Sequence, residues 1–97
     1  MQNNMPPIHP GEIPREELDE LGVSANAFAK TLAVPANRIT AILHCRRGIS
    51  ADTALRLARY FGTSPEFWLN LQRSYDLKLA REKSGDEIER LVKPRAA

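Results

Sequence analysis

The sequence predicts an all-α domain of five helices, and three observations predict it. No segment alternates apolar and polar residues for long, and β-branched residues are scattered, so nothing reads as strand. Helix starts recur at short intervals, with Ser24, Ser50 and Ser64 each standing just ahead of an apolar periodic stretch. Stops answer them at Gly22, Pro35 and Gly62. A chain of 97 residues is enough for one domain and too few for two.

The first helix is expected over residues 11–21, with Ile13, Leu18 and Leu21 apolar and Gly22 as the stop. Pro14 is tolerated because N–H groups of a first turn lack intrahelical partners, and the acids suit the N-terminal dipole. The second helix opens at Ser24 and carries Phe28, Ala29 and Leu32 on one face. Pro35 then takes the first position of a third helix over 35–44, with Ile39, Ile42 and Leu43 at i, i+3, i+4. The second and third helices, about 24–33 and 35–44, are separated by so few residues that they must cross steeply. That is helix-turn-helix geometry.

After a short loop over 45–49, Ser50 caps the fourth helix, with Asp52 in its first turn. Ala54, Leu57, Ala58 and Phe61 fall at i, i+3, i+4, i+7, and Gly62 ends the run. Ser64-Pro65-Glu66 starts a fifth helix expected over 65–83. Ser84-Gly85-Asp86 should break it, leaving 84–97 as a tail with at most a short helix near 87–92. Residues 1–10 read as an N-terminal arm and 11–83 as the domain. The fifth helix is apolar on two stripes, one with Trp68 and Tyr75, the other with Phe67 and Leu71. A small domain covers one stripe, so Phe67, Trp68, Leu71 and Tyr75 are the expected homodimer interface.

Composition places the chain among ordinary globular proteins, with 42% hydrophobic and 27% charged residues. No apolar run approaches the roughly 20 residues of a membrane span. The N-terminus has no positively charged lead with an apolar stretch, which excludes a signal peptide. One cysteine, Cys45, excludes an intramolecular disulfide framework, so a cytoplasmic location is expected. The net charge of +2 is unevenly spread. Residues 1–22 hold one base against five acids, a net −4; residues 23–62 hold six bases against one acid, a net +5. A basic block of this kind suits a nucleic-acid surface or an ordinary solvated face.

The third helix helps to decide between them. With Ile39, Ile42 and Leu43 turned inward, its outer positions are Ala36, Asn37, Arg38, Thr40, Ala41 and His44, with no acid and no bulky aliphatic. A helix entering a major groove needs such a surface, short enough to approach base edges and rich in donors. Asn pairs with adenine, Arg with guanine or phosphate, and Thr with phosphate or the thymine methyl. Arg46 and Arg47, just past the helix, suit phosphate contact as well as the helix dipole. Ser24, Asn26 and Lys30 project from the second helix, whose N-terminus offers free N–H groups to a phosphate. Arg56 and Arg59 are read as solvated.

Three segments carry a family resemblance: HPGEI from His9, SANAFAKTLAVPANRITAIL from Ser24, and RRGISADTALRLARYFGTSPEFWLNLQ from Arg46. Together they resemble the HigA-type (VapI-like) antitoxins of the Xre repressor-like helix-turn-helix family, across about two-thirds of the chain. The string GTSPEFWLNLQ is the most specific. The resemblance implies a lambda-repressor-like fold with a C-terminal helical extension and a homodimer on a palindromic double-stranded DNA operator. It also implies a HigB-type toxin partner, an mRNA endonuclease that the antitoxin holds inactive. By position it puts DNA reading on Asn37, Arg38 and Thr40, with Ser24, Arg46 and Arg47 on the backbone. Two departures stand out. Ala25 occupies a position where the superfamily often has glutamine. His44-Cys45 replaces a common Asn-Gly pair, setting a left-handed backbone there against a Cβ. A regulator without a toxin and a helical adaptor that never touches DNA are the rival readings.

Other chemistries find no support. His44 and Cys45 are neighbours with no further ligands at zinc spacing, and no nucleophile elbow or phosphate loop occurs. No catalytic residue, metal or cofactor is expected.

Overall fold

A computed structural model describes residues 8–96, which form α1 (Glu12–Leu21), α2 (Ala25–Leu32), α3 (Ala36–Leu43), α4 (Ala51–Phe61) and α5 (Pro65–Leu91). The three serines do what their positions predict. Ser24, Ser50 and Ser64 accept hydrogen bonds from the backbone N–H groups of Ala27, Thr53 and Phe67, at 3.1, 3.3 and 3.1 Å. Pro35 is the residue before α3 rather than its first residue: its backbone is extended, at ψ 144°, and its carbonyl accepts from Arg38 N–H.

The core lies where α2, α3 and α4 meet the first turns of α5. Phe28, Ala29, Leu32, Ile39, Ile42, Leu43, Ile49, Leu57 and Trp68 are all buried there. A chain of aromatic contacts crosses it, Phe28 to Phe61 at 5.9 Å and Phe61 to Trp68 at 5.6 Å between ring centroids. The Trp68 indole N–H donates to Thr63 Oγ1 at 2.8 Å, so this large ring is buried with its one donor satisfied.

That placement corrects the expected dimer interface. Trp68 is only 2% exposed and belongs to the chain's own core, with Leu71 packed against the same core and Tyr75 half-buried. Of the four residues, Phe67 alone is open, at 42%. Two apolar stripes on one helix do not say which of them the domain covers. Gln72, inside the Trp68 stripe, marks the inward one, because its Oε1 accepts from Ile49 N–H at 2.8 Å. Beyond Phe67, the exposed apolar residues of α5 lie further along the helix: Leu77, Leu79, Ile88 and Leu91.

The break expected at Ser84-Gly85-Asp86 does not occur. The helix runs through it as part of a 27-residue α5, about 40 Å long at the standard rise. A single helical glycine costs about 1 kcal/mol relative to alanine, which the good helix formers on both sides offset. The molecule is accordingly elongated, 53 × 25 × 24 Å. Among the described residues no helix is long and apolar enough to cross a membrane.

Truncating the two neighbouring aromatics separates core from surface. Trp68→Ala should lose about 3–5 kcal/mol by denaturant unfolding, whereas Phe67→Ala should lose about 1 kcal/mol or less. Equal losses would contradict the assignment of Trp68 to the core.

Candidate nucleic-acid interface

The second helix of the helix-turn-helix, α3, is pinned from behind. Ile39, Ile42 and Leu43 are buried, and the opposite side carries exposed Ala36 and Asn37 with half-buried Thr40 and Ala41. Its N-terminal end presents Asn37, whose side chain has no intramolecular partner among the described residues. Thr40 donates its hydroxyl to the Asn37 carbonyl at 3.3 Å, which holds it along the helix. At the other end His44, Cys45, Arg46 and Arg47 are all exposed. An Arg46 guanidinium nitrogen lies 3.0 Å from His44 Nδ1, so these two side chains form one polar unit.

The left-handed turn that the His44-Cys45 pair put in question is present. Cys45 itself takes it, at φ 60°, and its N–H reaches the Ile42 carbonyl at 3.0 Å while Arg46 N–H reaches Ala41 at 2.8 Å. Satisfying two terminal carbonyls of α3 offsets the steric cost of a Cβ in that region.

From the first helix of the pair, Ser24, Asn26 and Lys30 are exposed, as expected. The Ser24 hydroxyl oxygen is occupied by its own cap. Arg38 departs from expectation. Instead of projecting freely from α3, it turns to α4 and donates to Asp52 Oδ2 at 2.7 Å, and its side chain is only 26% exposed. Arg56 is not merely solvated either. Its Nε reaches the same Asp52 oxygen at 2.9 Å, and its NH1 donates to the carbonyls of Leu32 and Ala33 at 2.8 and 3.1 Å. Arg56 thereby closes the C-terminus of α2, where Ala33 is left-handed at φ 59°. With hydrogen bonds from Arg56 first and Arg38 second, the Asp52 carboxyl is held below its usual range. The i, i+4 spacing of Asp52 and Arg56 was visible in the sequence; the reach of Arg38 across helices was not.

The sequence also underrated residues 9–11. His9 is buried, its Nδ1 accepts from Gly11 N–H at 2.9 Å, and its ring stands edge-on to Tyr75 at 4.8 Å. A side chain at Gly11 would overlap the Ile42 carbonyl oxygen, so only glycine lets α1 approach the end of α3 this closely. Gly48 is crowded in the same way by the Gln72 amide. Gln72 moors the loop that carries Arg46 and Arg47 to α5, through Ile49 N–H and its close approach to Gly48. The loop arginines thus stand on a fixed base.

Among the described residues no cluster of potential metal ligands occurs. What the fold and this surface define is a small helix-turn-helix protein of the DNA-binding kind. The comparisons with known proteins take that class further. No protein-family model matches the chain. It is 57% identical over 82 residues to virulence-associated protein I of Dichelobacter nodosus, covering 84% of this chain and 76% of that protein. A HigA-family addiction-module antidote protein from Coxiella burnetii superposes with a TM-score of 0.89 at 63% identity, covering 94% of this chain and 100% of the other. The Pseudomonas aeruginosa antitoxin HigA, solved with the higBA promoter, superposes at 0.87 with 48% identity over 93% of this chain and 99% of the other. The chain belongs to the HigA family of antitoxins.

Burial pushes the His9 imidazole below its ordinary value of 6.5, while Glu12, Asp76 and a backbone hydrogen bond with Arg47 pull the other way. The unfolded chain therefore takes up this proton first on acidification. The stability that neutral His9 contributes is complete above 6.5 and is lost as pH falls from there toward the lowered folded value. The Tm advantage of wild type over His9→Gln should narrow between about pH 7.5 and 5.5. A constant gap across that range would refute the role given to the neutral ring.

Proposed function

We propose that the chain is the antitoxin and autorepressor of a type II toxin–antitoxin operon, acting in the cytoplasm. As a homodimer it binds a palindromic operator, with α3 of each protomer in a major groove. The observation that carries this reading is the outer face of α3, open and free of acids, with two exposed arginines just beyond it. It is supported by the Pseudomonas relative having been solved with a promoter. Asn37 leads into the base edges with Thr40 beside it, and His44, Arg46, Arg47, Ser24, Asn26 and Lys30 meet the backbone on either side.

One module offers few base-reading side chains, so a second copy supplies both affinity and specificity. Two α3 helices about 34 Å apart would match successive major-groove faces of a pseudo-palindrome. The face of α5 beyond the core supports the pairing. Leu77, Ile88 and Leu91, at i, i+11 and i+14, return to one side of the helix and are all exposed.

The toxin partner is a HigB-type mRNA endonuclease that the antitoxin binds directly. Glu16, Glu17, Asp19 and Glu20 form an exposed acidic face on α1, engaged by no ion pair among the described residues, with Leu21 exposed at its end. Such a face complements a basic, RNA-binding protein.

Binding to the chain's own promoter fragment, followed by anisotropy across salt concentrations, tests the DNA reading. Asn37→Ala should cost about 1–3 kcal/mol on the operator only, and Arg47→Ala should weaken all sequences alike and lower the salt slope by about 1. Untouched discrimination in Asn37→Ala would move the groove face elsewhere. For the toxin, reversing Glu16, Glu17 and Glu20 to lysine should slow association about tenfold or more at low salt. Unimpaired binding would remove the acidic face from the contact, and a native operon yielding no co-purifying partner would favour a regulator without a toxin.

A further inference from the structure

We propose that Asp52 is a positioning residue that sets DNA affinity, a carboxylate that competes with the phosphate backbone for Arg38. The proposal rests on the operator-binding reading above. Arg38 follows Asn37 at the N-terminal end of α3, the end that meets a major groove first. A free guanidinium there would find a phosphate on any duplex, because phosphate contact carries no sequence information. In the structure it is not free: its NH1 lies 2.7 Å from Asp52 Oδ2.

Asp52 is well placed to hold it and also to let it go. Its position is fixed without Arg38, because it stands in the first turn of α4 and takes Arg56 Nε on the same oxygen at 2.9 Å. Arg56 is independently held by the Leu32 and Ala33 carbonyls. The Arg38 side chain has no other hydrogen-bond partner among the described residues. Removing the carboxylate therefore frees Arg38 and leaves Arg56 in place. The pair is also solvent-accessible, with side chains 26% and 55% exposed, and such pairs are weak enough for a phosphate to displace the carboxylate. The cost of that displacement falls on every duplex alike, so the carboxylate lowers affinity for operator and non-operator DNA together.

The test compares the full chain with Asp52→Asn on an operator duplex and on a scrambled duplex of the same composition, over a salt series. Asp52→Asn should bind both duplexes more tightly at low salt, by up to about fivefold, and change the ratio between them by less than about twofold. Asp52→Ser, which also keeps a hydrogen-bonding side chain in the first turn of α4, should act likewise. A general effect of losing one negative charge is separated by repeating the change in an Arg38→Gln background. There Asp52→Asn should leave both affinities unaltered. The same gain in that background, a gain confined to one duplex, or no gain at all, would overturn the proposal while leaving the operator reading intact. A wild-type chain with no preference for the operator would remove both.

Discussion

The recognition helix is too short to exist alone, and the rest of the structure is organised around that constraint. An eight-residue α3 is far below the length at which an isolated helix holds together in water. It also begins at Pro35 without a side-chain cap. Its stability is therefore borrowed from packing. Ile39, Ile42 and Leu43 are buried against α2 and the neighbouring helices, and the absence of a side chain at Gly11 lets α1 lie against the Ile42 carbonyl. The outward face is then free to be chosen for contact rather than for helix propensity, and small or hydrogen-bonding residues occupy it.

A second layer of support fixes the two ends of α3. At its start, Arg56 ties the α2 terminus to α4, and Asp52 ties Arg38 to the same place. At its finish, Cys45 accepts a left-handed backbone so that the last carbonyls find partners, and the loop beyond is moored by Gln72. α5 serves both as a wall of the core, through Trp68, and as the post to which the loop is tied, through Gln72. A helix that began as an apolar stripe in the sequence is thus also the scaffold of the arginine loop.

The local features were legible in the sequence because their causes are local. Serine caps and the i, i+3, i+4 aliphatics each act over four or five residues and lie where the sequence puts them, while Pro35 falls one position earlier than expected, just before α3. What was misread depends on partners distant in sequence. Trp68 looked like interface because nothing nearby reveals which stripe of α5 the domain covers. Arg38 looked like a free reader because Asp52 is 14 residues away, and Arg56 looked solvated because the carbonyls it closes are 24 and 23 residues back. His9 carried no periodic signal at all. The run-through at Gly85 is a different error: breaker residues were weighed as stops, but without a proline or a left-handed turn they only weaken a helix.

The charge distribution gains its meaning from the same contacts. Of the six bases in residues 23–62, Arg38 and Arg56 share the one acid in that stretch, so the three side chains together keep a single positive charge. The exposed positive charge is left mainly with Lys30, Arg46, Arg47 and Arg59. Three of these flank the helix-turn-helix or its loop, and none sits on the outer face of α3 itself. On the proposed reading, charge at the flanks would supply attraction to any duplex, while the uncharged Asn37 and Thr40 would depend on hydrogen bonds that only a matching base edge completes. Separating the two on the surface keeps sequence discrimination from being swamped by non-specific attraction. A domain with net charge +2 can then bind DNA without binding all of it equally.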